Sequence, residues 1–503
     1  MEYPVKVVGE FAFSGNQHLV RIYFGEGIEE IRSRACLNCR KITSVSLPST
    51  LRNLYSAFEG CSGITSITYP EGLEYLGSSW IYLMTGLQGV IHIPASVTTI
   101  LQTTVSSVNI TGFDVSAGNA NYKSQDGCIL SKDGSVLYLV PASSSWLSEY
   151  TTPSTVTYIA NEAFGYNYSL RTLTLSEGVV EAYSAIGCLF NLTTLNLPST
   201  LTISPFTAYP ILDKLAAINV ASNSNTFVSV DGVLFSKDRT ELVKYPGGRQ
   251  AAYEVPSTTK VIKTGGLTLA KLRSLTLNEG LTHLESWAIR QVQLVSSSLG
   301  ALRIPNSLTQ VTDTSFFTCN FDELQVDASH TTLSTDGPIL YNKDRTVALV
   351  YACNPNAARD RVVTLPSTVR QIYYGFSYSN FPVKTIDLSQ TSVTRLPTYF
   401  WYNMTNDGVE RNVVLPNTLT TIDYQSIIVV TMKTLTIPAS VTTITAGAIG
   451  LPEATEVTFL NPGTFTSNSI FNQISPRCVI RGYRGSSAKS VALQYTLKFE
   501  PLD

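Results

Sequence analysis

Apolar and small polar residues alternate along this chain in short stretches that end at a proline. Leu195 and Leu197, for example, precede Pro198 and flank a single asparagine. Alternation with a period of two is typical of a half-buried β-strand. After the proline, apolar residues return three and six positions later, as Leu51 and Leu54 do after Pro48. The same arrangement follows Pro70, Pro94, Pro153, Pro305, Pro366, Pro416 and Pro438.

The prolines also set a repeat length. Pro48 and Pro70 are 22 residues apart, and Pro70 and Pro94 are 24 residues apart. A fixed period of this size lies in the range of leucine-rich repeats, whose units stack so that each buries the apolar face of the next. The pattern therefore predicts a β-rich leucine-rich-repeat solenoid with about 22 to 24 residues per turn.

Each copy continues into a segment that turns the chain back. Residues 57–61 read Ala-Phe-Glu-Gly-Cys, and residues 35–39 align with them. Phe58 and Cys61 are expected in the core, and the alignment puts Cys36 and Cys39 at the same two positions. Because free cysteine behaves as a small buried apolar residue, this C-x-x-C pair is predicted to be structural and not a zinc site.

A longer period lies on top of the short one. Asp-Gly pairs begin at Asp126, Asp231 and Asp336, which are 105 residues apart, and each opens a predicted β-hairpin insertion. The hairpins are expected near residues 121–141, 226–246 and 331–351. The whole is predicted as one solenoid domain over residues 1–482. Residues 483–503 form its C-terminal cap, a helix begun by the serines at 486 and 487 and followed by a last strand.

Composition argues against several classes of protein. The chain has 503 residues, 44% of them hydrophobic and only 14% charged, with a net charge of −2. This much apolar surface is incompatible with disorder. The near-neutral balance argues against nucleic-acid binding, and no apolar run is long enough to span a membrane. A leader removed during secretion leaves no trace in a mature chain, so sequence alone leaves localisation open.

These motifs together resemble one family. The proline turns, the Ala-Phe-x-Gly-Cys segment, the Asp-Gly hairpins and the Gly-Tyr-x-Gly-Ser-Ser-Ala of residues 482–488 are similar to those of the BspA-type leucine-rich-repeat proteins. Such proteins are secreted or surface-attached in Bacteroides-like bacteria and some mucosal protists. The resemblance implies an extracellular or cell-surface location and adhesion to host matrix proteins or other cells. The partner is then expected to be a host matrix protein, another cell-surface protein or a glycan.

The strand position two before the apolar-proline boundary is expected to face solvent. Stacked turns would align its occupants in a polar ladder, and solenoid sheets often bind partners on such a face. The alternative is that threonine simply suits an exposed strand and prevents aggregation. The candidate binding residues on this ladder are His92, Thr174, Asn196, Arg303, Asp387 and Thr436.

Aromatic clusters offer a second binding mode. Rings occur together at residues 80–82, 373–378 and 399–402, and exposed rings can stack on sugars or anchor a protein. Trp401 is the candidate exposed anchor, with Tyr402 beside it. These positions overlap the one that normally enters the core, so packing is the alternative.

The sequence offers little evidence for an enzyme. Only four histidines occur, far apart in sequence, and no hydrolase, metalloprotease or nucleotide-binding motif is present. The spacing of Ser486 and Lys489 matches a serine-nucleophile motif but is explained by helix capping. The hairpin aspartates are too few for calcium. The prediction is a non-enzymatic binding protein without cofactor or metal; the alternatives are a glycan-binding surface protein and a carbohydrate-active enzyme with carboxylates among the irregular turns.

Overall fold

The computed structural model describes most of the chain. The described residues are 5–101, 109–142, 148–268, 271–290, 293–294, 300–312, 314–317, 321, 323–351, 361–374, 376–378, 383–467 and 469–503. They divide into two compact units, Met1–Arg249 and Gln250–Asp503, called units 1 and 2. Each unit is built from short strands, numbered below in chain order.

Unit 1 is a stack of turns whose strands form parallel ladders on separate walls. The first-wall strands are β2 (Arg21–Tyr23), β4 (Ser44–Ser46), β7 (Gln88–Ile93), β9 (Asn109–Val115), β13 (Glu149–Thr151), β15 (Thr172–Thr174), β17 (Thr194–Leu197) and β19 (Ala217–Val220). The second-wall strands are β1 (Val7–Val8), β3 (Glu30–Ile31), β5 (Asn53–Leu54), β6 (Tyr75–Leu76), β8 (Thr99–Ile100) and β14 (Tyr158–Ile159). A third wall carries β16 (Ile186–Cys188) and β18 (Phe206–Ile211), and elsewhere consists of turns.

Unit 2 has the same organisation. Its first-wall strands are β23 (Ala252–Glu254), β27 (Ser274–Thr276), β31 (Ala301–Ile304), β34 (Glu323–Val326), β38 (Arg361–Thr364), β41 (Val383–Asp387), β44 (Asn412–Val414), β47 (Thr434–Ile437), β50 (Glu456–Phe459), β53 (Val479–Gly482) and β54 (Lys498–Pro501). The second-wall strands are β24 (Val261–Ile262), β28 (His283–Leu284), β32 (Gln310–Val311), β39 (Gln371–Ile372), β42 (Arg395–Leu396), β45 (Thr421–Ile422), β48 (Thr443–Ile444) and β51 (Thr466–Ser467).

The third wall of unit 2 is more regular than that of unit 1. Its strands are β25 (Leu267–Thr268), β29 (Ile289–Arg290), β33 (Phe316–Phe317), β40 (Ser377–Tyr378), β43 (Trp401–Asn403), β46 (Ile427–Val429), β49 (Ile449–Leu451) and β52 (Phe471–Ile474). A further parallel pair, β26 (Lys271–Leu272) and β30 (Gln293–Leu294), precedes two of the first-wall strands.

The predicted proline turn is confirmed and has a simple hydrogen bond. The carbonyl of Pro48 accepts from the amide of Leu51, and that of Pro438 accepts from the amide of Val441. Proline fixes its own φ and so favours the turn that carries the chain from the first wall to the second. The apolar residues on both sides then point inward, and Leu51 and Leu54 are fully buried.

The predicted core cysteines are confirmed. Cys36, Cys39 and Cys61 are fully buried, and the Sγ of Cys61 donates to the carbonyl of Cys36 at 2.9 Å. Burial raises the pKa of the Cys61 thiol to about 12, so it stays protonated and apolar. Cys319 and Cys353 lie outside the described residues.

Each predicted hairpin is present and has a third strand. The insertions are β10 (Tyr122–Gln125), β11 (Cys128–Ser131) and β12 (Val136–Leu139); β20 (Phe227–Val230), β21 (Val233–Ser236) and β22 (Glu241–Lys244); and β35 (Leu333–Asp336), β36 (Ile339–Asn342) and β37 (Val347–Tyr351). All three pair as antiparallel meanders. In the first and last, the third strand also joins the second wall, because β12 pairs with β14 and β37 with β39 in parallel.

The hairpins dock onto the first wall through their Asp-Gly turns. The carbonyls of Gly127, Gly232 and Gly337 accept from the amides of Phe113, Ile218 and Leu324, at 2.9, 2.9 and 3.1 Å. Those amides belong to β9, β19 and β34, the last first-wall strands of their sheets. Each hairpin therefore closes a sheet instead of protruding from it.

The C-terminal cap is confirmed. Helix α1 (Ser487–Gln494) begins after Ser486, whose hydroxyl accepts from the amide of Ala488. Ala488 and Val491 are buried in the core of unit 2, and β54 adds the last strand to the first wall. A chain of this kind needs such a cap because the last turn has no neighbour to bury its apolar face.

Candidate functional site

The polar ladder is best formed in unit 1, on the sheet β13-β15-β17-β19. Thr151, Thr174, Asn196 and Asn219 are register partners on neighbouring strands. The Nδ2 of Asn196 donates to the Oγ1 of Thr174 at 2.9 Å, and the Nδ2 of Asn219 donates to the Oδ1 of Asn196 at 2.9 Å. The side chains therefore form a linked row along the wall, with polar atoms at the strand spacing of about 4.8 Å.

In unit 2 the ladder of β47-β50-β53-β54 changes from hydroxyls to charges. Thr436 is exposed and is followed in register by Thr458, Arg481 and Glu500. Arg481 lies 3.7 Å from Glu456 and 3.9 Å from Glu500, while the Oγ1 of Thr458 donates to Glu456 at 2.9 Å. The sequence analysis missed this charge row, although Arg481 and Glu500 occupy the same repeat position as Thr436 and could have been found by aligning the repeats.

Arg303 and Asp387 lie on separate sheets of unit 2. Arg303 is exposed on β31, opposite Gln325 of β34, and its guanidinium lies 3.6 Å from Glu279. Asp387 is half-buried at the end of β41, and its Oδ1 accepts from the amide of Ser389 at 2.9 Å. Part of its role is therefore to fix a turn.

In the structure the ladder is interrupted. The first wall of each unit is split into separate sheets, and the Asp-Gly hairpins end three of them by occupying the last amides. Among the six predicted ladder residues, only Thr174 and Asn196 are direct neighbours in one sheet. A partner that uses this face therefore meets segments of ladder, not one row.

His92 lies in a cluster of polar side chains on the first wall. It is the register partner of Asp114, whose carboxylate lies 3.0 Å from Nδ1, while the hydroxyl of Ser116 lies 3.1 Å from Nε2. Glu71 is 3.8 Å from the same Nε2. The connectivity is that of a hydrolase triad, but such triads bury the aspartate behind the histidine. Here the side chains of Asp114 and His92 are 63% and 48% exposed, so the cluster is a surface hydrogen-bond network.

The prediction that Trp401 is an exposed anchor is wrong. Its side chain is completely buried in the core of unit 2. The segment after Leu396 forms a strand, β43, and strand alternation turns Trp401 and Asn403 inward while Tyr402 stays half-exposed. Trp80 of the first aromatic cluster is buried as well. Packing explains both indoles.

Four tyrosines lie together at one corner of unit 2, one of them exposed and three half-buried. This tyrosine cluster consists of Tyr374, Tyr399, Tyr402 and Tyr424. The ring of Tyr399 meets Tyr374 at 5.5 Å and Tyr402 at 5.6 Å between centroids, nearly at right angles in both cases. Tyr424 is 52% exposed, and burial raises the pKa of Tyr399, with its tyrosine neighbours adding to the shift.

A cleft of about 440 Å³ opens beside this cluster. It is lined by Arg370, Gln371, Ile372, Tyr373, Tyr374, Thr394, Arg395 and Pro397. Arg395 is held by Asp423, whose Oδ2 accepts from its Nε at 2.7 Å. The sequence analysis did not select Arg370 or Arg395. Arg370 lies between Val369 and Ile372, and Arg395 lies between Val393 and Leu396, at outward positions where the repeat register identifies both as wall residues.

Metal sites are not formed by the described residues, which hold no group of three His, Cys, Asp or Glu side chains suited to an ion. The hairpin aspartate Asp133 accepts from Ser131 and Ser135, and these hydrogen bonds lower its pKa to about 2. Asp238 and Asp344 bind their own turns in the same way. Within the described ranges, no helix has the length and apolar content needed to cross a bilayer.

Comparisons with known proteins agree with this architecture. The model of the BspA type leucine rich repeat region matches residues 1–111, 142–244, 251–337 and 359–450, in six copies. No curated protein matches the chain.

Among solved structures, a leucine-rich repeat protein from Eubacterium ventriosum is 18% identical over 60% of this chain and 82% of that chain, with a TM-score of 0.40. The pneumococcal vaccine antigen PcpA is 15% identical over 99% and 85%, with a TM-score of 0.31. A leucine rich cell surface protein from Faecalibacterium prausnitzii is 16% identical over 94% and 83%, with a TM-score of 0.28. These scores are too low to support an argument about function.

Proposed function

Because the chain belongs to the BspA-type leucine-rich repeat family, we propose that it is a non-enzymatic adhesion protein whose first wall binds a protein partner. The partner is a host matrix protein or a protein on another cell surface. The site of action is the bacterial surface or its surroundings, as the family suggests.

One observation carries the proposal, namely the linked row of Thr174, Asn196 and Asn219. Hydrogen bonds between these side chains hold their rotamers before any partner arrives. A surface that is already ordered loses little side-chain entropy on binding, which is the main cost of using long polar side chains at an interface. Amides also keep spare donors and acceptors for a partner.

The chemistry of the row suits a protein surface. Its groups are neutral, so a partner needs no compensating charge, and its donors and acceptors repeat at the strand spacing of about 4.8 Å along the wall.

The test is a binding screen of the intact chain against matrix proteins and cell-surface proteins, with a hit measured by surface plasmon resonance. We expect Asn196→Ala to weaken a specific hit about fivefold, because it removes two links of the row. Thr174→Lys is expected to weaken it at least tenfold, because it adds an unpaired charge at the same place.

Thr202→Lys is the matched control. Thr202 is an exposed threonine that follows the proline turn in unit 1, away from the first wall. If Thr174→Lys and Thr202→Lys weaken binding equally, or if neither variant changes it, the row is not the binding surface and the proposal fails.

A further inference from the structure

The cleft in unit 2 arises from a break in the second wall. On one side, the amide of Tyr373 donates to Ala348 at 2.9 Å, and on the other the amide of Asp423 donates to Leu396 at 3.1 Å. The residue equivalent to Tyr373 and Asp423 in the turn between them is Pro397. Proline has no amide hydrogen, so it cannot continue the ladder.

The sheets reflect this interruption. The sheet β35-β36-β37-β39 ends at β39, and the sheet β42-β45-β48-β51 begins at β42. Two successive turns are thus not joined by strand pairing at this wall, and the space of about 440 Å³ lies there. Within the described residues, the amides of Thr394 and Arg395 have no backbone partner across the break.

The lining combines aromatic faces with polar groups in a way that suits a sugar. Tyr373 and Tyr374 border the cleft, and the edge-to-face contact with Tyr399 holds Tyr374 in place. A sugar ring has an apolar C–H face that packs on an aromatic ring, and hydroxyls that need donors and acceptors around its rim. Gln371, Thr394 and the open amides supply those groups.

The charge of the cleft favours an acidic ligand. The two lining cations are Arg370 and Arg395, and none of the eight lining residues, all within the described part of the chain, is acidic. Arg395 is paired with Asp423. Asp344 is near enough to Arg370 for an electrostatic attraction. Its carboxylate, however, accepts a hydrogen bond from the Thr346 hydroxyl at 2.8 Å. Arg370 therefore presents an exposed guanidinium whose fork matches a carboxylate.

We propose that this cleft binds a carboxylated sugar, with Tyr374 under the ring and Arg370 on the carboxylate. The site is separate from the first wall, so it adds a glycan ligand to the proposed protein adhesion and does not depend on it. Uronic acids and sialic acids share the required chemistry.

The experiment is isothermal titration calorimetry on the intact chain. Tetragalacturonic acid and sialyllactose are the carboxylated probes, and maltotetraose and lactose are their neutral counterparts. We expect one carboxylated probe to bind at least tenfold more tightly than its neutral counterpart, and the better of the two identifies the source. Arg370→Gln should weaken the carboxylated probe about tenfold and leave the neutral one unchanged. Tyr374→Ala should weaken both about fivefold.

Matched controls are Arg171→Gln and Tyr183→Ala, an exposed arginine and a 59% exposed tyrosine of unit 1, which should change nothing. Hydrogen exchange adds a readout that needs no variant, since the bound probe should protect residues 370–374 and 394–397. Equal affinity for acidic and neutral sugars, an unchanged Arg370→Gln variant, or no binding at millimolar concentration would each overturn the inference. Protein binding by the first wall would survive any of these results.

Discussion

At the scale of single residues, a buried ion pair in an irregular turn of unit 2 makes local stability depend on charge. Arg411 has no exposed side-chain surface, and its two terminal nitrogens donate to the two carboxylate oxygens of Asp407, each at 2.9 Å. The hydroxyl of Thr431 accepts a further hydrogen bond at 2.7 Å. Removing one partner of such a pair leaves the other charge buried without compensation.

Asp407→Asn is therefore expected to lower the free energy of unfolding of this region by about 3 kcal/mol. Arg411 lowers the pKa of Asp407, so the stabilisation is complete above the ordinary carboxyl pKa of about 4 and is lost as pH falls through the lowered value. Hydrogen exchange of residues 404–411 at pH 7 and at pH 3 measures both effects. The variant should exchange faster at pH 7 and show less change with acid.

The control for Asp407→Asn is Glu29→Gln. Glu29 pairs with Lys6 at 2.8 Å, but both side chains are about half-exposed, so the loss should stay below about 1 kcal/mol. Equal losses for the two variants would mean that burial of the Arg411 pair has no energetic consequence.

The same turn shows where residue-level prediction from sequence stops. The repeat register correctly placed Phe58, Cys36 and Cys39 in the core, because regular turns give each position one environment. Trp401 lies in a turn that departs from the register. Its inward orientation depends on a strand, β43, that pairs with neighbouring turns, and no local pattern of residues specifies that pairing.

At the scale of elements, the hairpins are held by glycine as well as by strand pairing. Gly232 has a φ of +76°, and a Cβ built there would meet the Cα and Cβ of Ala217 at 3.2 Å. Its carbonyl also accepts the docking hydrogen bond from Ile218. A positive φ and a close approach to another strand are two separate reasons for glycine.

Gly232→Ala should therefore lower the free energy of unfolding by more than the backbone preference of alanine alone would. We expect about 2 kcal/mol or more, with faster hydrogen exchange across β19 and β20, because the hairpin must shift away from the wall. Gly15→Ala is the matched control: Gly15 has a φ of +72° and no atom within 4 Å of an added Cβ, so only the conformational cost of about 1 kcal/mol applies. The same loss at both positions would show that contact with Ala217 is unimportant.

Docking of the hairpins also explains why the order of elements was predictable and the extent of the ladder was not. The Asp-Gly pairs and the proline turns are local signals, since each specifies a turn by its own conformation. The ends of the sheets depend on contacts between segments far apart in sequence. The amide of Leu324 donates to the carbonyl of Gly337, and the turn that contains Pro397 does not pair with β39. Both features exist only once the turns are stacked.

For the whole molecule, the balance of charge decides how binding should respond to salt. The chain has 35 basic and 37 acidic residues, and its net charge is −2. Long-range attraction to a charged partner is therefore weak, and exposed ion pairs such as Lys6 with Glu29 are neutralised locally. Affinity has to come from short contacts.

This balance predicts different salt dependence for the two proposed sites. Raising NaCl from 0.1 to 1 M shortens the screening length from about 10 to about 3 Å. Binding through the row of Thr174, Asn196 and Asn219 involves no charge on this chain, so the dissociation constant should change less than about twofold. Binding of a carboxylated sugar at Arg370 relies on an exposed ion pair and should weaken about fivefold or more. If titrations at the two salt concentrations show both ligands weakening together, the first-wall complex depends on charge, and the row of Arg481 and Glu500 replaces the neutral row as the surface to mutate.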